Sequence, residues 1–231
     1  MTVHVDDDVR VIDKPHGLAV QKGTHTIEHL DGMLMARAAA GKERLRLVHR
    51  LDKETSGCLV LAASREAARW LGREMMGRRV TKTYWALVHG VPEPRAGRID
   101  LPLIKVAGPD GDRVRPARPD ELVSAWTATT HYQVLEARPD AFAFVGLLPE
   151  TGRQHQLRAH LAAIGHPIVG DSKYPAPGQV VPGQLPGLHL LARGLAFRHP
   201  RGHMLAVEAP PPPHLRTTFE RLGFVVPLSA Y

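Results

Sequence analysis

Residues 47–63, LVHRLDKETSGCLVLAA, decide how the rest of this chain is read. Three ionisable side chains, His49, Arg50 and Asp52, precede a turn-forming run over residues 53–57 and then a continuous apolar stretch over residues 58–63. A short apolar run bounded by Ser and Gly reads as a buried strand. The charged residues before it are therefore held at the rim of a core, where an ionisable group is a candidate for chemistry. Taken alone, Asp52 before Thr-Ser-Gly reads as a turn-closing residue that bonds its own backbone.

Upstream, residues 3–20 predict two short strands around the Pro and Gly turn of KPHGL (14–18). A helix is predicted from Thr26 to Ala40, with Ile27, Leu30 and Leu34 at helical spacing, Thr26 as cap and Gly41 as terminator. Downstream, Ser64 caps a second helix whose apolar side is Ala67, Trp70, Leu71 and Met75. VTKTYWALVHG (80–90) is a strand that puts Lys82, Tyr84, Ala86 and Val88 on one face. Residues 91–121 read as a hairpin with a long tip, along which Arg113, Arg115 and Arg118 form a mobile basic loop or a plain solvated one. Strands follow at 126–135 and 141–148.

The stretch from Pro149 to Pro175, PETGRQHQLRAHLAAIGHPIVGDSKYP, contains one short helix with Thr151 as its cap and Gly165 after its end. Its first turn carries Arg153, and Gln154 and Arg158 share a face at i and i+4. His155 and His160 are five apart and face different ways, so no metal-binding helix arises. A Pro- and Gly-rich loop at 175–187, a strand pair (188–198, 204–209) and a short C-terminal helix with Leu215, Phe219 and Leu222 inward complete the chain.

Composition narrows the function. The net charge is +7 over 231 residues, and the cations are mostly arginine, 23 Arg against 7 Lys. Arginine's planar fork suits phosphate contacts and stacking on bases, so a nucleic-acid partner fits better than a small acidic metabolite. An apolar content of 43% supports a proper core, yet no stretch reaches the ~20 apolar residues of a membrane span. The single cysteine, Cys58, excludes a disulfide framework or a zinc cluster of cysteines. No signal peptide is visible, and a cytoplasmic protein is expected.

Four motifs in order carry a resemblance. HRLDKETSGCLVLA, KPHGL, KTYWALVHG and TGRQHQLRAHLAAIGHPIVGDSKYP resemble the RluA family of RNA pseudouridine synthases, and HLLARGLAFRHP extends the likeness to Pro200. The resemblance implies a single α/β domain of the α+β type over residues 1–231. Its bent, mostly antiparallel sheet is flanked by helices around a central cleft, the pseudouridine synthase fold. It implies that Asp52 is the catalytic carboxylate, that Tyr84 lies against the target uracil and that Arg158 pairs with the aspartate. Arg50 would fill the space left by a flipped base, with Lys82 and Arg153 as weaker phosphate contacts. Only thirteen residues precede Lys14, too few for the N-terminal S4 domain that many relatives carry.

The expected activity is isomerisation of uridines to pseudouridine in structured RNA, rRNA or tRNA stem-loops, with no cofactor or metal and no obligate protein partner; a monomer is expected. Two alternatives stay open on the residues: a non-catalytic RNA-binding or chaperone protein on the same fold, and a nucleoside or glycoside hydrolase. The hydrolase would require a second carboxylate, for which only Glu150 and Asp171 stand near the motifs.

Overall fold

The structure, a computed structural model, describes residues 1–23, 26–108, 111–138, 142–175 and 187–225. In chain order its first elements are β1 (Thr2–Val5), β2 (Val9–Lys14), α1 (Leu30–Ala39), β3 (Arg46–Leu47), β4 (Ser56–Ala62), α2 (Arg65–Met76), β5 (Thr81–His89) and β6 (Ala96–Asp100). There follow β7 (Leu103–Val106), β8 (Arg113–Pro116), a 3-10 turn (Pro119–Ser124), β9 (Thr129–Arg138), β10 (Phe142–Pro149) and α3 (Gln156–Ala163). Last come β11 (Leu190–Arg198), β12 (Met204–Glu208) and α4 (Pro213–Leu222). Two compact units result, one made of residues 1–82 and 191–212, the other of residues 83–190 and the C-terminal stretch from Pro213.

The first unit is built on β4, all seven of whose residues are buried. β2 lines one of its edges antiparallel from Ala62 to Gly57. β3 pairs antiparallel at Leu61 and Ala62, and β11 pairs parallel at Ser56 and Gly57. β12 returns antiparallel on β11. The predicted α2 begins where expected: Ser64 Oγ accepts the amide of Ala67 at 2.9 Å and satisfies one of the orphan donors of the first turn. Ala67 and Leu71 are buried as the spacing demands, whereas Trp70 lies at the rim with its indole N–H donated to Arg198 O at 3.0 Å.

Two local expectations for this unit change. The β1–β2 hairpin turns at the aspartates, not at Pro and Gly, because Asp6 Oδ1 accepts the amides of Asp8 and Val9 at 2.8 and 2.7 Å. After KPHGL there is no strand, only an isolated bridge between Ala19 and His29. Helix α1 starts at Leu30, because the amide of Thr26 closes a turn on Gly23 O instead of opening a helix; His29 is the N-cap.

In the second unit the order is β5-β10-β9-β6, antiparallel throughout, with β7 and β8 as a separate hairpin. β5 alternates as its sequence predicts, but both faces are covered. Ala86 and Val88 pack with Val145, Leu147 and with Leu157 and Leu161 of α3. On the other face Trp85 meets Phe144 edge-on at 5.2 Å, and Phe144 meets Phe219 of α4 at 4.8 Å. Architecture is thus mixed α/β, with mostly antiparallel sheet and flanking helices, as expected from the sequence.

The hairpin predicted within 91–121 is β7–β8; residues 109–110 at its tip lie outside the described residues, as do 139–141 between β9 and β10 and 176–186 of the Pro- and Gly-rich loop. Two of its three arginines are held rather than mobile. Arg115 forks onto Glu121 at 2.6 and 2.7 Å and Arg113 Nη1 donates to Lys173 O at 3.0 Å, while Arg118 is exposed, with its backbone amide donated to Glu121 Oε2 at 2.8 Å. Among the described residues no helix is long and apolar enough to cross a membrane.

Candidate active site

Asp52 lies in the first unit, on the loop between β3 and β4, and its backbone carbonyl accepts the amide of Thr55 at 3.1 Å. A turn stands where one was expected, closed between backbone groups. Two other donors pin the next residue: Lys53 O accepts Lys14 Nζ at 3.1 Å and the amide of Gly17 at 3.0 Å. Lys14 is fully buried and also donates to Pro15 O and Leu18 O, at 2.9 and 2.8 Å. One ammonium therefore ties KPHGL to the aspartate loop. Burial pulls its pKa down to about 8, against the opposing pull of Asp52 and Asp13.

On the other side of Asp52, His49 Nε2 accepts the amide of Val60 in β4 at 2.9 Å. Burial and the nearby positive charge of Lys82 push the imidazole down to about 3, so it stays neutral and an acceptor. Lys82 itself is lowered by burial. Arg50 is exposed and makes no ion pair among the described residues. The first unit carries Asp52, Arg50 and Lys82, with Lys14 as a clamp and His49, which feels the charge of Lys82, as a strut. His49 stands out in the sequence by its place in HRLD, three residues ahead of Asp52, but its bond to Val60 does not.

The second unit carries Tyr84, Arg153 and Arg158. Tyr84 stands opposite Leu147 in the β5–β10 ladder, half-buried against the aliphatic cluster. Helix α3 starts later than predicted because His155 adopts a left-handed conformation, φ +51°, and interrupts the helix before Gln156. Arg153 and Gln154 therefore precede the helix, and the shared face of Gln154 and Arg158 does not form. Thr151 does not cap: its hydroxyl donates to Gln156 Oε1 at 2.7 Å and accepts the amide of Thr129 at 3.0 Å. Arg153 is held by its Nε to Thr127 O at 3.2 Å.

Arg158 is buried, and Nε and Nη2 reach the two oxygens of Asp171 at 2.7 and 2.6 Å. Asp171 also accepts the amides of Lys173 and Tyr174, and the guanidinium lies 5.5 Å from the centre of the Tyr174 ring. A two-pronged pair on a turn that is itself hydrogen-bonded fixes the arginine in one orientation. Asp171 is thus engaged, and Glu150 lies 2.5 Å from His131, so neither acid offered to a hydrolase stands ready as a second catalytic carboxylate.

The sequence of residues 8–163 matches the family described as RNA pseudouridylate synthase. The chain belongs to that family. Its relatives include the dual-specificity RNA pseudouridine synthase RluA of Escherichia coli K12, 39% identical over 212 residues, or 90% of this chain and 91% of that one. RNA pseudouridine synthase 4, mitochondrial, of Arabidopsis thaliana is 40% identical over 192 residues, 75% of this chain and 40% of that protein. Among solved structures, human RNA pseudouridylate synthase domain containing 4 matches with a TM-score of 0.80 at 32% identity, covering 98% of this chain and 94% of that one. Within the pseudouridine synthases the chain is of the RluA type, and it is an isomerase that converts uridine to pseudouridine in RNA.

The histidines of α3 and its N-cap are held by hydrogen bonds. His160 bonds Thr130 Oγ1 and Leu101 O, and His155 bonds Tyr174. Among the described residues one group, Asp6, Asp8 and His199, is close enough for shared ligation, and its two aspartates already accept other donors. Asp6 takes two amides and His4, and Asp8 takes Arg201 Nε at 2.7 Å. His199 Nδ1 accepts the amide of Arg201 at 3.2 Å, and its Nε2 lies 3.2 Å from Asp6 Oδ2 without making a hydrogen bond.

Proposed function

We propose that Asp52 is the catalytic carboxylate and that the substrates are uridines in rRNA or tRNA stem-loops. The reaction breaks the C1′–N1 bond, turns the free uracil, joins C1′ to C5, releases the C5 proton and leaves N1 protonated. A carboxylate beside the ribose can act as nucleophile or base in it. Tyr84 packs the uracil and Arg158 pairs with the carboxylate in this reading, while Arg50, Lys82 and Arg153 contact the RNA. Because the target base is reached only outside the stack, flipping it costs a few kcal/mol, and the flat head of Arg50 suits the vacated space.

The observation that supports the reading most is the mounting of Asp52. Its loop is fastened by Thr55, by Lys14 and Gly17 through Lys53, and by His49 through Val60, which holds a charged side chain in one place at the edge of a buried strand. The two units act in this reading as one catalytic domain, and the protein works as a cytoplasmic monomer. The test is tritium release from RNA labelled at uridine C5 and drawn from a strain lacking the protein. Wild type should release tritium and Asp52→Asn should not, with RNA affinity within about threefold because only a negative charge is lost. Turnover retained by Asp52→Asn would remove the assignment.

A further inference from the structure

In the first unit, α1 and the segment that follows it carry charge that the mounting of Asp52 does not use. Arg37, Lys42, Arg44 and Arg46 fall within ten residues, and none has an acidic partner among the described residues. The one acid in that run, Glu43, is neutralised by Arg10 at 2.7 Å. Four like charges this close repel one another, an arrangement that is stable at low cost only in high dielectric and that favours an anionic partner.

Beneath those charges lies an open groove. Two adjoining cavities of about 250 and 400 Å³ share Met35 and Arg44. The smaller runs between Leu34, Leu45 and Leu47, with Asp31 and Gln21 as polar groups in its wall; the larger is floored by Ala38 and Ala39 with Lys42 at its edge. Met35 is 63% exposed, an unbranched thioether on a helix face where a soluble domain places polar residues. Sites that take small ligands run about 300–1,000 Å³ and combine an apolar floor with a few polar groups. An apolar floor with a cationic rim matches a nucleotide, base down and phosphate out.

We propose that this α1–β3 groove binds an unpaired nucleotide of the RNA substrate other than the target uridine, its base on Met35 and its phosphate on Lys42 and Arg44. The inference rests on the RNA-isomerase reading and adds a second point of attachment to it. β3 ends at Leu47, five residues before Asp52, so the groove and the aspartate loop share one rigid segment. A nucleotide held there would set which uridine comes to Asp52, a selection that a flipped base alone cannot make. A peptide partner could fill the apolar floor but would leave the cations unanswered.

The test uses the full chain and RNA from a strain lacking it, substituted with 4-thiouridine. Ultraviolet crosslinking and peptide mapping should place adducts within residues 31–44. Lys42→Glu with Arg44→Glu should raise KM for tritium release tenfold or more and lower kcat by less than about threefold. The slope of log affinity against log salt should flatten by about 1 to 2. Both side chains are exposed, so the melting temperature should match wild type. Unchanged KM and salt slope, adducts only elsewhere, or a loss confined to kcat would each overturn the inference. A wild type that releases no tritium would instead fail the catalytic reading itself.

Discussion

His49 holds Val60: the imidazole Nε2 takes the strand amide at 2.9 Å, and through that bond the loop carrying Asp52 is fixed to β4. The ring can do this only while neutral, and its pKa of about 3 lies far below the ordinary 6.5. A histidine depressed on folding adds stability that is fully present above 6.5 and is lost as pH falls toward 3, because the unfolded chain then binds the proton more readily. Each pH unit below 6.5 should remove up to about 1.4 kcal/mol. His49→Gln, which keeps an acceptor but not a titrating one, should flatten the fall of the urea midpoint between pH 6.5 and 4.5. Parallel curves for the two proteins would disprove the coupling.

Lys14 makes the opposite limb. Its ammonium, buried among three carbonyl oxygens and near Asp52, has a pKa of about 8 against 10.5 when free. The depressed value means that its burial works against the fold below about 8 and that this cost is relieved between 8 and 10.5. Activity should run the other way. Once the proton leaves, the loop loses a donor and Asp52 a cation, so the single-turnover rate should fall above pH about 8. Lys14→Met should be at least tenfold slower at pH 7 and should show no such limb. An alkaline limb that survives in Lys14→Met would assign it to another group.

What the sequence made legible was what neighbours in the chain decide. Ser64, Ala67 and Leu71 announce α2 because cap and apolar stripe are local, and β4 is announced by its unbroken apolar run. Thr26 and Thr151 have the right side chains for caps and do not serve as such. Thr151 is drawn into bonds with Gln156 and Thr129, the latter 22 residues away, and no window of sequence contains that competition. Lys14 reads equally as a cleft-shaping lysine and as a solvated one until KPHGL is folded against Lys53, 39 residues on. The motifs gave Arg158 its importance, but its orientation depends on Asp171, thirteen residues downstream on a turn beyond the helix. Residue types are chemistry; partners are topology.

The Arg158–Asp171 pair gives a stability prediction with a defined sign. Both side chains are almost fully buried, and two charge-assisted bonds of 2.7 and 2.6 Å join them. Asp171→Asn would take the carboxylate's charge away from both buried bonds to the guanidinium, a loss of about 3–5 kcal/mol. For a chain of this size that is a fall in Tm of roughly 6–20 °C. Replacing both by apolar residues, Arg158→Met with Asp171→Leu, should recover part of that stability while tritium release stays lost, since the arginine is gone. A double variant with full activity would exclude Arg158 from the reaction.

Gly57 tests the strand that carries the aspartate loop. It has φ +110°, and a Cβ built on it would lie 2.2 Å from the carbonyl oxygen of Ala192, the residue it faces across the parallel β4–β11 pair. Backbone on both sides leaves nothing that can swing away, and the conformation itself is one that side chains resist. Gly57→Ala should therefore yield little folded protein. Gly41, just past the end of α1, is the control: its φ is +75° but no heavy atom lies within 4 Å of the added Cβ. Gly41→Ala should cost only about 1 kcal/mol, the price of a left-handed residue with a side chain. Comparing soluble yield and melting temperature separates steric contact from backbone strain. If the two variants behave alike, conformation governs both positions and the close approach of β4 to β11 at Gly57 is not what requires a glycine.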